Sequence, residues 1–282
     1  MAKSNSFRSG KHLLQVPGPT NIPDRVLRAM SSPTIDHRGP EFAEIVKRVL
    51  DRLRGIFKTT QPIIIFPGSG TGAWEAAIVN TLNPYDKVLM FETGQFSSLW
   101  AEQAKKFNIE VDLVPGDWRT GADPKIVEKK LSEDKAHKIK AVFALHNETS
   151  TGVTSNIAKI RQAMDSAKHP ALLMVDTISS LASIDYCHDD WKVDVTVCGS
   201  QKGLLLPPGL SFNAVSQKAL EAHKKSTMQK SYWDWKPILA NNKDGAFPYT
   251  PPTNMFFGLD EAIDMLNEEG LENVFKRHAR LA

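Results

Sequence analysis

The stretch "VCGSQKGLLLPPG" (197–209) sets one lysine, Lys202, directly after an apolar run and a Gly-Ser-Gln. A primary amine there is either part of a surface turn or a nucleophile held at the mouth of a sheet. Four other apolar runs also end in groups able to do chemistry. "PIIIF" (62–66) is followed by "PGSGTGAWEAA", where Ser69, Gly70 and Thr71 lead into a helical Ala/Glu pattern. Backbone N–H groups bared at a helix N-terminus, with hydroxyls beside them, form an anion cradle. The spacing is neither that of a P-loop, which needs Gly-Lys-Ser/Thr, nor a clean GxGxxG; a plain glycine-rich turn is the structural alternative. "KVLMF" (87–91) runs into "ETGQFSSLW", whose Phe96 and Trp100 can stack on a planar ligand or pack in the core. "IKAVFAL" (139–145) runs into "HNETSTG", a dense polar turn. "ALLMV" (171–175) is followed by Asp176. A carboxylate there is expensive to bury unless paired, and a helix cap is the alternative.

These groups act together only if the elements bring them to one place. Three further strand candidates, 109–114, 194–199 and 210–215, make seven in all. Helix-length stretches lie between most of them, such as Gly72 to Leu82, Ser97 to Phe107 and Ile157 to Lys168. Continuous apolar strands alternating with helices predict an α/β fold: a mainly parallel seven-stranded sheet with helices on both faces. Ligands of such sheets collect beyond the carboxyl ends of the strands, where the residues above fall. Ahead of the sheet, "VPGPTNIP" (16–23) reads as an extended arm leading into a helix near Asp24. Beyond Lys224 the pattern loosens through "SYWDW" and "FPYTPPTN". A helix is then expected near Gly258, with a break at Gly270 and a second helix in which the chain stops, as if cut.

Composition narrows the field. The net charge of +3, from 35 basic and 32 acidic residues, gives no footprint for nucleic acid. No segment approaches the ~20 apolar residues that span a bilayer, and the N-terminus lacks a signal-peptide core. The two cysteines, Cys187 and Cys198, make no disulfide framework, and Cys198 reads as a small buried hydrophobe. A soluble protein is expected, cytoplasmic or, in a eukaryote, peroxisomal, with no metal.

An anion cradle, an aromatic plate, hydroxyl donors, a buried carboxylate and a lysine, each on its own strand end, are what pyridoxal phosphate requires. The phosphate needs a helix N-terminus and the ring a stacking partner. The pyridine nitrogen needs an acid and the aldehyde a lysine.

The stretches "VPGPTNIP", "GSGTGAWEAA", "HNETSTGV", "VDTISSLAS" and "GSQKGLLLPPGL", in this order, resemble the class V (fold type I) aminotransferases, and within them the serine–glyoxylate and alanine–glyoxylate group. The resemblance spans essentially the whole chain. It implies that Lys202 forms the Schiff base and then shuttles the substrate proton, and that Asp176 pairs with the pyridinium nitrogen. It implies that Ser69, Gly70 and Thr71 hold the phosphate with help from Gln201. Phe96 takes the ring-stacking position, and Thr149 sits near the phenolic oxygen. Thr250, with Tyr249 or Phe247, would reach the phosphate of a neighbouring subunit, so a homodimer with shared sites is implied. Pro17, Gly18 and Pro19 would line the substrate side.

The resemblance further implies an arm (1–22), a cofactor-binding large domain (23–257) and the start of a linker helix and truncated small domain (258–282). The arginine that grips the substrate carboxylate in this family has no counterpart before Ala282; Arg38 is not assigned that role. The implied reaction moves the amino group of a small amino acid, L-serine, to glyoxylate, giving glycine and hydroxypyruvate. Alternatives are an alanine–glyoxylate, aspartate–glyoxylate or serine–pyruvate aminotransferase, or a class V lyase or desulfurase. From another class, a non-catalytic nucleotide-binding protein would leave Asp176 and Lys202 unexplained.

Overall fold

Seven strands carry the apolar runs: β1 (Ile63–Gly68), β2 (Lys87–Phe91), β3 (Glu110–Val114), β4 (Ile139–Leu145), β5 (Leu172–Asp176), β6 (Val195–Gly199) and β7 (Gly209–Val215). The computed structural model describes residues 13–282, so 1–12 of the expected arm lie outside the described residues. Ten helices accompany the strands among the described residues. Those that precede or cover the first half are α1 (Asp24–Met30), α2 (Pro40–Phe57), α3 (Gly70–Thr81), α4 (Gln95–Lys106) and α5 (Pro124–Glu133). The others are α6 (Ile157–Ser166), α7 (Gln217–Lys225), α8 (Trp235–Asn242), α9 (Thr253–Glu269) and α10 (Leu271–Leu281).

The strands form one sheet in the order β1-β7-β6-β5-β4-β2-β3. The five from β6 to β3 run parallel, and β7 is antiparallel to both of its neighbours. Parallel neighbours need long crossovers, whereas β6 and β7 are joined by the short turn 200–208 and so must reverse. Because β6 runs parallel to β5, the turn carrying Lys202 that follows it lies at the same sheet edge as the carboxyl ends of β1, β2, β4 and β5.

Alternation along each strand sends side chains to two cores. Ile63, Ile65, Leu173 and Val175 join the layer formed with α2, α5, α6 and α9. Ile64, Phe66, Leu172 and Met174 join the layer formed with α3, α4, α7 and α8. The seven strands and the helices on both faces match the pattern expected from the sequence, with strand ends displaced by a residue or two. Helix α2 has no counterpart among the helices singled out there, although Phe42, Val46, Val49 and Leu53 bury one complete face.

One expectation is corrected. The helix expected near Gly258 starts at Thr253, with Pro252 as its N-cap. Gly258, a helix breaker by propensity, sits mid-helix because nothing larger fits there: a Cβ would lie 2.5 Å from Met30 Cγ and 2.9 Å from Leu206 Cδ2. The same helix runs through position 257/258, with Phe256, Leu259, Ala262 and Ile263 all buried in one core. Its outer face is tied down by Arg25 to Glu261 and Glu268 (both 2.6 Å) and by Arg48 and Arg52 to Asp260. The Phe256 ring meets Phe42 edge-on at 5.3 Å and Phe247 at 5.4 Å. Phe256→Ala is expected to cost about 3–5 kcal/mol in a denaturant melt. A loss below about 1 kcal/mol would show that α9 is not part of the cooperative core.

Candidate active site

At the carboxyl edge of the sheet a cavity of about 260 Å³ is bordered by Gly18, Ser69, Phe96, Thr149, Asp176 and Lys202, among others. Lys202 is presented by the β6–β7 turn, which Ser200 staples. The Ser200 hydroxyl donates to Pro207 O (2.7 Å) and accepts from Leu210 N–H (3.1 Å). The Lys202 Nζ donates to Thr149 Oγ1 at 2.6 Å and stands 5.6 Å from the centre of the Phe96 ring. It is half-buried, and burial pulls its pKa below the usual lysine value despite the nearby Asp176 carboxylate. The arm lies across its stem. Thr20 N–H donates to Gln201 O at 3.1 Å, and a Cβ on Gly18 would fall 2.6 Å from Lys202 Cε.

Asp176 is the last residue of β5 and only 3% exposed. Burial pushes its pKa up to about 6, opposed by two hydrogen bonds to the carboxylate. Ile178 N–H donates to Oδ1 and the Trp74 indole N–H to Oδ2, both at 2.7 Å.

The anion cradle is present as well. Ser69 is the N-cap of α3 but makes no side-chain cap bond, and the first turn holds no acidic residue, so the leading N–H groups keep their partial positive charge. Glycine is required by close approach. A Cβ on Gly72 would lie 2.5 Å from the Trp233 ring, and one on Gly70 would run into Ile178. Gln201 borders the same cavity, and its buried Oε1 has no partner among the described residues. Cradle, plate, hydroxyl, carboxylate and amine all face one space, so the residues present fit a planar ring bearing a phosphate.

Of the residues expected from sequence, Gly18, Pro19, Ser69, Gly70, Thr71, Phe96, Thr149, Asp176, Gln201 and Lys202 border this cavity. Pro17, Tyr249 and Thr250 do not. Pro17 and Thr250 are exposed, and Tyr249 stacks on Tyr232 with ring centres 4.5 Å apart. Trp100, an alternative plate, is instead fully buried between Trp74 and Phe143. Cys198 is buried with its thiol pushed up to about 12, and Cys187 is also raised by burial, so neither is an activated nucleophile.

Two site residues escape a reading by sequence. Trp74 looks like a core aromatic of α3. Glu148 is the second, a wholly buried carboxylate in the "HNETSTG" turn. It accepts from Phe96 N–H (3.3 Å), Ser97 N–H (3.0 Å), Ser150 N–H (3.0 Å) and the Ser150 hydroxyl (2.7 Å). It therefore caps α4 and joins the segment carrying Phe96 to the turn carrying Thr149. The one hint in sequence is Gly94, where a Cβ would stand 2.5 Å from Glu148 Cγ.

The model of the class-V aminotransferases matches residues 12–282. A serine–glyoxylate aminotransferase of Methylorubrum extorquens is 49% identical over 280 residues, covering 97% of this chain and 70% of the relative. An L-aspartate–glyoxylate aminotransferase of Paracoccus denitrificans is 44% identical, covering 95% of this chain and 68% of the relative. Among solved structures, an alanine–glyoxylate aminotransferase from Nostoc sp. superposes with a TM-score of 0.89 at 28% identity, over 99% of this chain and 74% of that one.

Two outcomes follow from the geometry. In Gly18→Ala the new methyl would press on the Lys202 side chain, 2.6 Å from Cε and 3.1 Å from Cγ, at a backbone φ of +157° that side-chain-bearing residues rarely adopt. A loss of about 1–3 kcal/mol is expected from that strain, and in the protein that remains folded the yield of borohydride-trapped pyridoxal phosphate on Lys202 should fall at least about tenfold, since the amine is displaced. Full trapping would show that the arm does not position the amine. For Asp176, the folded value near 6 lies above the ordinary 3.8, so the buried anion disfavours folding once pH exceeds both. That amounts to about 3 kcal/mol, although an amide would turn its NH2 toward one of the two N–H donors and leave both unpaired. The clean signature is the pH dependence: between about pH 4 and 8 the wild type should lose stability as the buried acid ionises, and Asp176→Asn should remove that slope in the ligand-free protein. A slope unchanged by the substitution would contradict the burial argument.

Proposed function

We propose that this chain, which belongs to the class-V aminotransferase family, moves the amino group of L-serine to glyoxylate with pyridoxal phosphate as cofactor. The observation that carries the reading is the Lys202 amine, 2.6 Å from the Thr149 hydroxyl in a cavity also bordered by the buried Asp176 carboxylate. The choice of serine and glyoxylate is supported by the 49% identical relative of that name.

When bound, the cofactor supplies an aldehyde to take up the amino group and a pyridinium ring to absorb the electrons released at the substrate Cα. The chain's own groups do the rest. The N–H groups opening α3, with the Ser69 and Thr71 hydroxyls and the Gln201 amide, would hold the phosphate. Asp176 would accept a hydrogen bond from the protonated ring nitrogen, and Phe96 would cover the ring face. The Lys202 amine, biased toward its neutral form by burial, would hold the aldehyde as a nucleophile and would carry the proton taken from the substrate Cα to the cofactor carbon that receives the amino group. Thr149 orients that amine through the bond seen here.

The proposed working unit is a homodimer in which Tyr249 and Thr250 of one protomer complete the partner's phosphate site; in a single chain neither borders the cavity. None of the helices among the described residues is long and apolar enough to cross a membrane, and a cytoplasmic or peroxisomal location is proposed. A second reading, transfer from L-aspartate, is favoured by the 44% identical relative.

The test follows glycine formed from glyoxylate with L-serine, L-alanine or L-aspartate as donor. Serine is expected to lead in kcat/KM by about tenfold, a difference of about 1.4 kcal/mol in transition-state binding. Preference for aspartate would install the second reading, and no transfer from any donor would overturn both. Lys202→Ala should abolish transfer while leaving the melting temperature of the ligand-free protein nearly unchanged.

A further inference from the structure

The cofactor reading uses Asp176 but leaves Trp74 unexplained. The indole is 3% exposed, borders the cavity and directs its single N–H at Asp176 Oδ2 from 2.7 Å. It cannot swing away. Trp100 stacks on it with ring centres 5.7 Å apart and planes inclined by 13°, and Trp100 stacks in turn on Phe143 at 4.4 Å. Indole N–H is a donor only, with no proton to lose and no lone pair to offer in the plane. Facing it across a hydrogen bond, Asp176 must be the acceptor, and because a carboxylate accepts more strongly than a carboxylic acid, the donor favours the ionised form.

We propose that Trp74 is a positioning residue that holds Asp176 in the orientation and charge state a protonated ring nitrogen requires. The inference rests on the reading of this cavity as a pyridoxal phosphate site. The other groups around Asp176 do not supply the same control. Ile178 N–H, on the segment after β5, engages the other oxygen, Oδ1. Lys202, on the β6–β7 turn, attracts the anion but is the group that changes partners during the reaction. Glu148, on the turn after β4, opposes the negative charge. Cys198, on β6, stays an uncharged thiol because burial raises it to about 12. Among the described residues the indole is thus the one side chain that favours the ionised form and takes no part in the chemistry. Without it, the carboxyl group would protonate at a higher pH, and a carboxylic acid cannot accept the bond from a protonated ring nitrogen in the same way.

The test compares the wild type, Trp74→Phe, Asp176→Asn and the double variant in two readouts. In ligand-free protein, the infrared carboxyl band assigned to Asp176 by subtraction of Asp176→Asn is expected to titrate at least about one pH unit higher in Trp74→Phe than in the wild type. In the second readout, pyridoxal phosphate affinity is followed by absorbance across pH. Trp74→Phe should bind about five- to tenfold more weakly than wild type between pH 5 and 6 and nearly equally above pH 9, because the carboxyl is then ionised in both. In the Asp176→Asn background, Trp74→Phe should add no further pH-dependent change. An unshifted infrared midpoint, or a loss of affinity uniform across pH, overturns the inference and leaves Trp74 as packing. Wild type that binds no pyridoxal phosphate at any pH overturns the reading beneath it instead. If Trp74→Phe does not fold, the Trp74 indole N–H resonance of wild type decides. It should shift with the same midpoint as the Asp176 band, and a resonance indifferent to that titration refutes the coupling.

Discussion

The carboxylate of Asp176 lies 3% exposed at the end of a strand that is otherwise wholly apolar, and the site is arranged around the need to keep that charge there. Burying a charge is unfavourable unless donors replace the lost water. The chain supplies a backbone N–H from Ile178 and an indole N–H from Trp74. Burial still raises its pKa to about 6, so the group is held close to the point at which it would lose its charge. Burial acts in the opposite sense on Lys202, lowering its pKa toward the neutral amine that a nucleophile needs. Burial therefore shapes both groups at once.

Glu148 shows how far the outcome depends on the donor set. It too is buried, yet it accepts four hydrogen bonds, three of them from backbone N–H groups at 96, 97 and 150. Saturated in this way, it serves as a strut between α4 and the turn after β4. With only two donors, Asp176 keeps lone pairs free for a ligand. Two buried acids 28 residues apart in sequence thus take different parts through the number of N–H groups each one faces.

The topology explains how groups from so many strands meet. Parallel strands deliver their carboxyl ends to one edge, which accounts for the cradle after β1, the plate after β2, the polar turn after β4 and the acid ending β5. The Lys202 turn leaves the carboxyl end of the parallel strand β6 at that same edge, and the reversed β7 lets it close in nine residues instead of a helical crossover. A short turn stapled by Ser200 fixes the backbone that carries the amine.

By itself the sequence determined the seven apolar strands, the helical alternation and the edge on which the chemistry would lie, because hydrophobic period and strand-end position are local properties of the chain. It also marked Lys202, Asp176 and the Ser69–Thr71 cradle, since polar groups after apolar runs stand out in composition, and Phe96 as an aromatic at the same position after β2. Helix α9 starts at Thr253, five residues before the expected Gly258, and the packing of Met30 and Leu206 on Gly258, visible only in three dimensions, accounts for that glycine inside the helix. Only the tertiary structure decided that Trp74 donates to Asp176 across 102 residues and that Glu148 spans 52 to reach Phe96. It alone laid Gly18 over the stem of Lys202 and kept Tyr249 and Thr250 away from this chain's own cavity. Such partnerships carry no period and no spacing in the chain. They exist because packing removes water from a polar atom and leaves it one distant group with which to form a hydrogen bond.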